Sequence, residues 1–366
     1  MLAGYAHPWH TDVPAGLPGF PDISGEPFII VSYEPASIVA TVRNEKETIV
    51  AFVDSLLKQS VKPSEIIIVD GASTDGTAEI LEGYAKRGEI VLISQDCSIA
   101  EGRNLGLGKA SNRIIAVTDA GCIVTVTWLK NILECFTQDP RPDVVAGNFR
   151  FICDSRFEEA VSLATFPPDR DETDAARYYP SSRSLGFRKS AWEKARGYPE
   201  WLFVAEDTLF NIRIRQLGCH FVFARDAIVK WRPRTTWRAL AKQRFNFARC
   251  NARAGIGTQG YLINLKYHTA ILLPLLLGFL SPWLMVIAVW PLYRHVGQNL
   301  LPQASQAADK VNRPDMKWYI VSVMEFVRLV GMAGFLAGRW DRFVSSKHAE
   351  NQRAWMGVGS LDELET

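Results

Sequence analysis

From Phe28 to about Gly147, short apolar runs alternate with helix-length amphipathic stretches, and this alternation constrains the fold more than any other feature of the chain. Ser37 to Val42 reads as a strand. Lys46 to Gln59 reads as a helix with Ile49, Val50, Val53, Leu56 and Leu57 on one face. A strand from Ile66, a helix over Ala78 to Lys86 and a strand over Ile90 to Ser94 follow. Then come a helix over Ala100 to Lys109 and a strand over Arg113 to Thr118. Strands alternating with helices predict an α/β fold, a mostly parallel sheet flanked by helices.

The run Ile66-Ile67-Ile68-Val69-Asp70-Gly71-Ala72-Ser73-Thr74-Asp75-Gly76-Thr77 joins a buried strand to a polar, glycine-punctuated loop. In an open α/β sheet, ligands bind just outside the carboxyl ends of the strands. Asp70 is therefore presented at a cleft, where a carboxylate accepts hydrogen bonds from a base or a ribose. Asp75 and Thr77 fit the start of the next helix, where such side chains satisfy free N–H groups. An ordinary strand-to-helix loop has the same composition, so the segment needs company to carry a function.

With 366 residues, 48% hydrophobic and 22% charged, the chain can bury a sizeable core and is not globally disordered. A net charge of +2 argues against a dedicated nucleic-acid binder. The six cysteines (97, 122, 135, 153, 219 and 250) form neither a CxxC pair nor a zinc spacing, and read as reduced thiols facing a cytosol. No apolar stretch of signal-peptide type opens the sequence. Residues 1–34 read as an irregular arm in which His7 and His10 are tail residues rather than metal ligands. Phe166 to Tyr179 reads as a loop with two prolines and six charges.

The character changes after Trp231. Seven Arg or Lys and no acid lie between Arg232 and Arg253, with Arg238, Lys242, Arg249 and Arg253 on one helical face. This pattern over residues 231–256 predicts a basic amphipathic helix on an anionic membrane surface. From Thr269 to Tyr293 no charged residue occurs, and about 20 apolar residues suffice to cross a bilayer core. Ser281-Pro282 splits that run, so one span and a re-entrant hairpin both fit. A second apolar stretch, Trp318 to Gly338, carries Glu325 and Arg328 at a spacing that lets them pair. The expectation is a membrane helical hairpin within 257–340 and a tail over 341–366, with a buried soluble core as the rival.

Further stations fall in order along the chain. Ala40-Thr41-Val42-Arg43-Asn44-Glu45 ends the first strand, and the Asp70 loop follows. Then come Glu101-Gly102-Arg103-Asn104-Leu105-Gly106 and Ile114-Ile115-Ala116-Val117-Thr118-Asp119-Ala120-Gly121. Trp201-Leu202-Phe203-Val204-Ala205-Glu206-Asp207 leads into a later helix. The ordered set resembles family 2 glycosyltransferases of the GT-A (Rossmann-like) fold over roughly residues 37–255. The resemblance implies a catalytic domain over 35–230 in which Thr41, Arg43 and Glu45 line the nucleotide pocket and Asp70 holds the base or ribose. It implies Arg103 near the sugar or its phosphates, Asp119 as the metal and diphosphate carboxylate, and Asp207 as catalytic base. Ser184 to Arg188 resembles the acceptor-side loop, which puts Gly186, Glu206, Gln243 and Phe247 on the acceptor side. The glycines from Gly102 to Gly108 have the wrong spacing for a dinucleotide loop.

Two departures from the family pattern stand out. The metal motif, usually Asp-x-Asp, here reads Asp119-Ala120-Gly121, one hard oxygen ligand short. The Gln-x-x-Arg-Trp motif of processive synthases here reads Gln243-Arg244-Phe245-Asn246-Phe247. The implied activity is inverting transfer of one sugar from a nucleoside-diphosphate sugar to a lipid-linked or glycan acceptor. Magnesium or manganese is the implied cofactor, and the cytosolic side of the cell membrane the implied place. A non-catalytic nucleotide-sugar-binding subunit and a processive polysaccharide synthase are the alternatives.

Overall fold

The computed structural model of the protein describes residues 32–166 and 180–356. The N-terminal arm with His7 and His10, the charged loop beyond Phe166 and the last ten residues of the expected tail lie outside the described residues.

The first half runs β1 (Ala36–Val42), α1 (Ile49–Leu57), β2 (Glu65–Asp70), α2 (Thr77–Lys86), β3 (Val91–Ser94), α3 (Ile99–Lys109) and β4 (Ile114–Asp119). It continues with β5 (Cys122–Val124), α4 (Trp128–Gln138), β6 (Val144–Phe151), α5 (Arg156–Thr165), β7 (Leu185–Arg188), α6 (Lys189–Ala195), α7 (Glu206–Gln216) and β8 (Phe221–Trp231). β1 and β2 are buried on both faces, as near-continuous β-branched runs in a helix-covered sheet must be. α1 buries Ile49, Phe52, Val53 and Leu56, the one-sided stripe of a helix docked on a sheet. The expected helix began three residues earlier, but Glu45 closes a turn there by accepting the Thr48 and Ile49 N–H groups through its carbonyl.

Eight strands form one sheet in the order β3-β2-β1-β4-β7-β6-β8-β5. β3, β2, β1 and β4 are parallel, while β7 runs antiparallel to both β4 and β6, so the sheet is mixed beyond its parallel half. The switch point lies between β1 and β4: the chain steps outward from β1 through β2 to β3, and α3 then carries it back across the sheet to β4 on the other side of β1. The crevice at its carboxyl end is where such sheets take ligands.

The glycines of α3 serve packing. A Cβ on Gly106 would come within 2.6 Å of Val39 Cγ1, and one on Gly102 within 3.0 Å of Thr41 Cγ2. Their absence lets α3 lie close on β1 and β2.

After β8 come α8 (Trp237–Ala254), α9 (Thr258–Leu277), α10 (Met285–Leu292), α11 (Leu301–Lys310), α12 (Lys317–Val344) and α13 (Lys347–Met356). The basic helix forms as expected, but half of its basic face is turned into the protein. Arg249 and Arg253 both bind Asp341 of α12, at 2.6 and 2.7 Å, while Arg238 and Lys242 stay exposed. α12 approaches α8 so closely that a Cβ on Gly334 or Gly338 would collide with the backbone of Phe245 or Arg249. A small residue every fourth position is how two helix backbones come together.

The uncharged run 269–293 is not one continuous helix. α9 ends at Leu277, a turn and a short 3₁₀ segment from Pro282 follow, and α10 packs back against α9. At that turn Phe279, Leu280 and Trp283 are 83–85% exposed. Among the described residues one helix, 314–344, is long and apolar enough to cross a membrane by length and composition. The expected tail is helical at first: α13 returns to α7, where Arg213 donates to the Met356 carbonyl.

Candidate functional site

Register alone gathers the first site residues. Thr41 pairs with Asp119 across β1 and β4, and Val42 pairs with Asp70 across β1 and β2. The three polar side chains therefore share the carboxyl edge of adjacent strands at the switch point. The loops beyond are tied together. Asn44, in the left-handed region at φ 57°, accepts the Thr74 N–H at 2.8 Å, and Asp75 accepts the Lys46 N–H at 3.1 Å. Asp75 also accepts the Thr77 N–H at 3.0 Å, the first N–H of α2, while the N-cap position itself is Gly76 in the left-handed region at φ 99°.

Asp70 is buried, and both its oxygens are engaged by Ser73, one by the backbone N–H at 3.1 Å and one by the hydroxyl at 2.5 Å. It shapes its own loop as well as facing the crevice edge. The Thr41 hydroxyl is buried without a hydrogen-bond partner, and such an unsatisfied group beside a cleft is available to a ligand. Arg43 is exposed and pairs with Asp96 at 3.5 Å. Glu45 accepts the Thr48 hydroxyl at 2.7 Å.

Arg103 was expected at the sugar or its phosphates, and its surroundings differ from that expectation. It is 1% exposed, and its two terminal nitrogens donate to Asp119, at 2.6 Å, and to Glu206. The Tyr198 ring lies 5.3 Å from its guanidinium carbon. A guanidinium enclosed by two carboxylates has no charge to spare for a diphosphate.

Glu206, expected on the acceptor side, is likewise enclosed, at 5% exposure. Burial pushes its carboxyl up from 4.5 to about 7, against the pull of Arg103 and with a push from Asp207. One guanidinium facing several carboxylates leaves an excess of negative charge that a proton relieves. Asp207 is half-buried in the first turn of α7, after Ala205 in the left-handed region at φ 67°. Strained backbone of this kind clusters at functional sites. One Asp207 oxygen accepts its neighbour's Thr208 N–H at 2.7 Å, and the other has, among the described residues, only long contacts, 3.4 Å to the Ser181 hydroxyl and 3.5 Å to the Ser182 N–H.

Gly186, expected on the acceptor side, is a packing position. It lies inside the sheet opposite Ala116 and Val145, and a Cβ there would collide with Ile132 of α4. Gln243 and Phe247 are half-buried on α8, on the same face as Cys250 and Ala254 by helical spacing. Ala254 packs on Leu202, Leu209 and Ile212, next to the turn that bears Asp207.

Glu45 lies beside the position of the missing second carboxylate of Asp119-Ala120-Gly121. Gly121 has φ 83°, and a Cβ built on it would lie 3.5 Å from both carboxylate oxygens of Glu45. A side chain at 121 would therefore touch the Glu45 carboxylate at ordinary contact distance. Cys122 is buried, and burial pushes its thiol up to about 12.

Several contributors escape sequence reasoning. Tyr198 stacks on Phe210, with ring centroids 4.2 Å apart, and shields Arg103. Arg183 lies over the Trp231 ring at 3.9 Å and acts electrostatically on Cys122, three residues from Asp119. No local pattern marks either. A signal did exist for α3, where Ser98 and Glu101 form a reciprocal capping box that fixes the helix carrying Arg103.

Residues 37–194 match the model described as Glycosyl transferase family 2. Glycosyltransferase AglE of Haloferax volcanii is 24% identical over 250 residues, covering 67% of this chain and 81% of that protein. The O-antigen chain rhamnosyltransferase RfbN of Salmonella typhimurium is 22% identical over 48% of this chain and 60% of its own length. The Escherichia coli UDP-Glc:alpha-D-GlcNAc-diphosphoundecaprenol beta-1,3-glucosyltransferase WfaP is 37% identical over 27% of this chain and 39% of its own. Among solved structures, mannosyltransferase PcManGT from Pyrobaculum calidifontis, in complex with GDP-Man and Mn2+, superposes with a TM-score of 0.55 at 17% identity. That superposition covers 87% of this chain and 92% of the mannosyltransferase.

Proposed function

The chain is a family 2 glycosyltransferase of the GT-A fold, and on that premise we propose that it moves a single sugar from a nucleoside-diphosphate sugar to a lipid-linked or glycan acceptor. We place the reaction at the cytosolic face of a membrane, with inversion at the anomeric carbon. One observation carries the reading: Asp119 from β4 and Glu206 beside Asp207 on α7 are joined through Arg103 at the carboxyl edge of the switch-point strands.

In this reading Thr41, Arg43 and Asp70 line the donor pocket. Asp119 and Glu45 would hold the divalent cation, magnesium or manganese, and the carboxylate against Gly121 is the reason their donor set fits a hard ion. When bound, the ion supplies positive charge to the diphosphate. Arg103 works as a positioning residue: it fixes Asp119 relative to the turn that carries Asp207.

Asp207 is the base. As the acceptor oxygen bonds to the anomeric carbon, the carbon–oxygen bond to the diphosphate breaks, and the nucleoside diphosphate leaves with the electron pair. The hydroxyl proton passes to the loosely held oxygen of Asp207. A base on the face opposite the leaving group gives inversion. Gln243 and Phe247 flank the acceptor approach, and Asn246 and Phe247 in place of an Arg-Trp pair favour one transfer over processive synthesis.

The exposed apolar turn around Phe279 and Trp283 is the support for membrane contact. Lipid-linked acceptors follow from the diphosphoundecaprenol in the glucosyltransferase relative's name. The test is Asp207→Asn. Removing a general base lowers kcat by about 10²–10⁴-fold, and donor binding by calorimetry should stay within about twofold of the parent. Parallel loss of donor affinity and turnover would remove Asp207 from the base role.

A further inference from the structure

Far along the chain from the crevice, three helical segments bring His268, His295 and Glu325 together. The Glu325 carboxylate lies 2.7 Å from His268 Nε2 through one oxygen and 2.8 Å from His295 Nε2 through the other. The imidazoles meet edge-on, centroids 4.8 Å apart, and their ligand atoms and the carboxylate all fall within 4.8 Å of one another. His268 is 6% exposed and His295 2%. The cluster stands beside the uncharged run 269–293, in the least polar part of the molecule.

The tautomer of His268 makes the arrangement informative. Its Nδ1 lies 2.7 Å from the backbone carbonyl of Asn264, an acceptor, so Nδ1 carries the proton. Nε2 then faces a carboxylate oxygen at 2.7 Å, a contact that either a second ring proton or a metal ion held by both groups satisfies. A metal-binding histidine typically has this second-shell pattern, one ring nitrogen on the ion and the other N–H on a backbone carbonyl.

A second observation comes from the backbone. His295 sits in a π-helical stretch, Tyr293–Leu300, a rare geometry that recurs at functional sites. Glu325 is not taken by Arg328, the partner its spacing predicts; the histidines hold both of its oxygens.

We propose that His268, His295 and Glu325 form a binding site for a borderline divalent transition ion, zinc foremost, that clamps the apolar hairpin to α12. Two imidazoles and one carboxylate are a zinc donor set, and three protein ligands leave a fourth position for water. The site is separate from the all-oxygen pair at the crevice, which suits magnesium or manganese. Its role is to lock α9 and the π-helical stretch onto α12 at the root of the exposed turn.

The test uses the full chain in detergent micelles, stripped with a chelator and titrated with cobalt in excess magnesium. Expected are one cobalt per chain with an intense tetrahedral visible spectrum, displacement by zinc, and a zinc-dependent rise in melting temperature. His268→Gln and His295→Gln should each weaken cobalt binding by about 100-fold or more, judged against the 10–100-fold that second-shell losses cost. Asp119→Asn should keep both the stoichiometry and the spectrum. Failure of the stripped parent to bind cobalt overturns the site, even if a variant does not fold. So does a spectrum unchanged by His295→Gln, or one abolished by Asp119→Asn.

Discussion

Replacing Arg103 by methionine should destabilise the protein in a way that depends on pH. The side chain is 1% exposed and satisfies Asp119 and the buried Glu206 together. Removing one partner of a buried ion pair costs about 3–5 kcal/mol because the other charge is left uncompensated. For a chain this long, about 2 °C is lost per kcal/mol, so the melting temperature should fall by about 6–10 °C at about pH 8. Acid should soften the loss. Burial already raises the Glu206 carboxyl from 4.5 to about 7, so the folded state holds a proton that the unfolded state has released. Its contribution is fully present below about 4.5 and is lost as pH rises through about 7. Without Arg103 the proton binds more tightly still, and each unit of acidification recovers about 1.4 kcal/mol while the carboxylate titrates. The variant recovers up to about 2.7 kcal/mol from about pH 8 to about pH 6, but the parent, titrating at about 7, itself gains about 1.4, so the deficit at about pH 6 should be about 1.4 kcal/mol smaller than at about pH 8. Thermal denaturation of Arg103→Met, Glu206→Gln and the double variant at both pH values checks this. The double variant should lose less than the sum of the singles, since the glutamine leaves no buried charge. Equal deficits at the two pH values, or strict additivity, would refute the ionic account of the Arg103 cluster.

Gly186→Ala should cost about 1–3 kcal/mol through overpacking against Ile132, be relieved by Ile132→Ala, and leave the acceptor KM unchanged. A raised KM at normal stability would return Gly186 to the acceptor side. Gly338→Ala drives a methyl into the Arg249 carbonyl and should cost about 1–3 kcal/mol, read as a lower melting temperature in detergent; no shift would mean that α12 does not cross α8 so closely. Asp70→Ala removes both bonds to Ser73 and should cost about 1–3 kcal/mol while weakening donor binding in calorimetry; stability loss with unaltered affinity leaves Asp70 a loop-shaping residue alone.

The parallel half of the sheet was legible because its order is local. Runs such as Ile66 to Val69 have few other uses, and the polar residues Asp75 and Thr77 sit where the next helix begins. Once those strands are parallel neighbours, Asp70 and Asp119 must emerge on one edge, so their juxtaposition follows from pattern and topology. The antiparallel strand β7 was not legible: Leu185–Arg188 is short, and both of its partners lie dozens of residues earlier in the chain. That is why Gly186 read as a loop glycine, although only its sheet neighbours determine what its missing side chain makes room for. Charges mislead for the same reason. Arg103, Arg249 and Arg253 look like surface cations, yet each is claimed by a carboxylate that the fold delivers from afar: Glu206 lies 103 residues beyond Arg103, and Asp341 lies 92 beyond Arg249. An arginine is assigned to phosphate or membrane only after its protein carboxylates have been counted. With Arg103 enclosed, Arg43 is left at the strand edge, and this is why, in the proposed mechanism, a divalent ion held by Asp119 and Glu45 is added to balance the diphosphate.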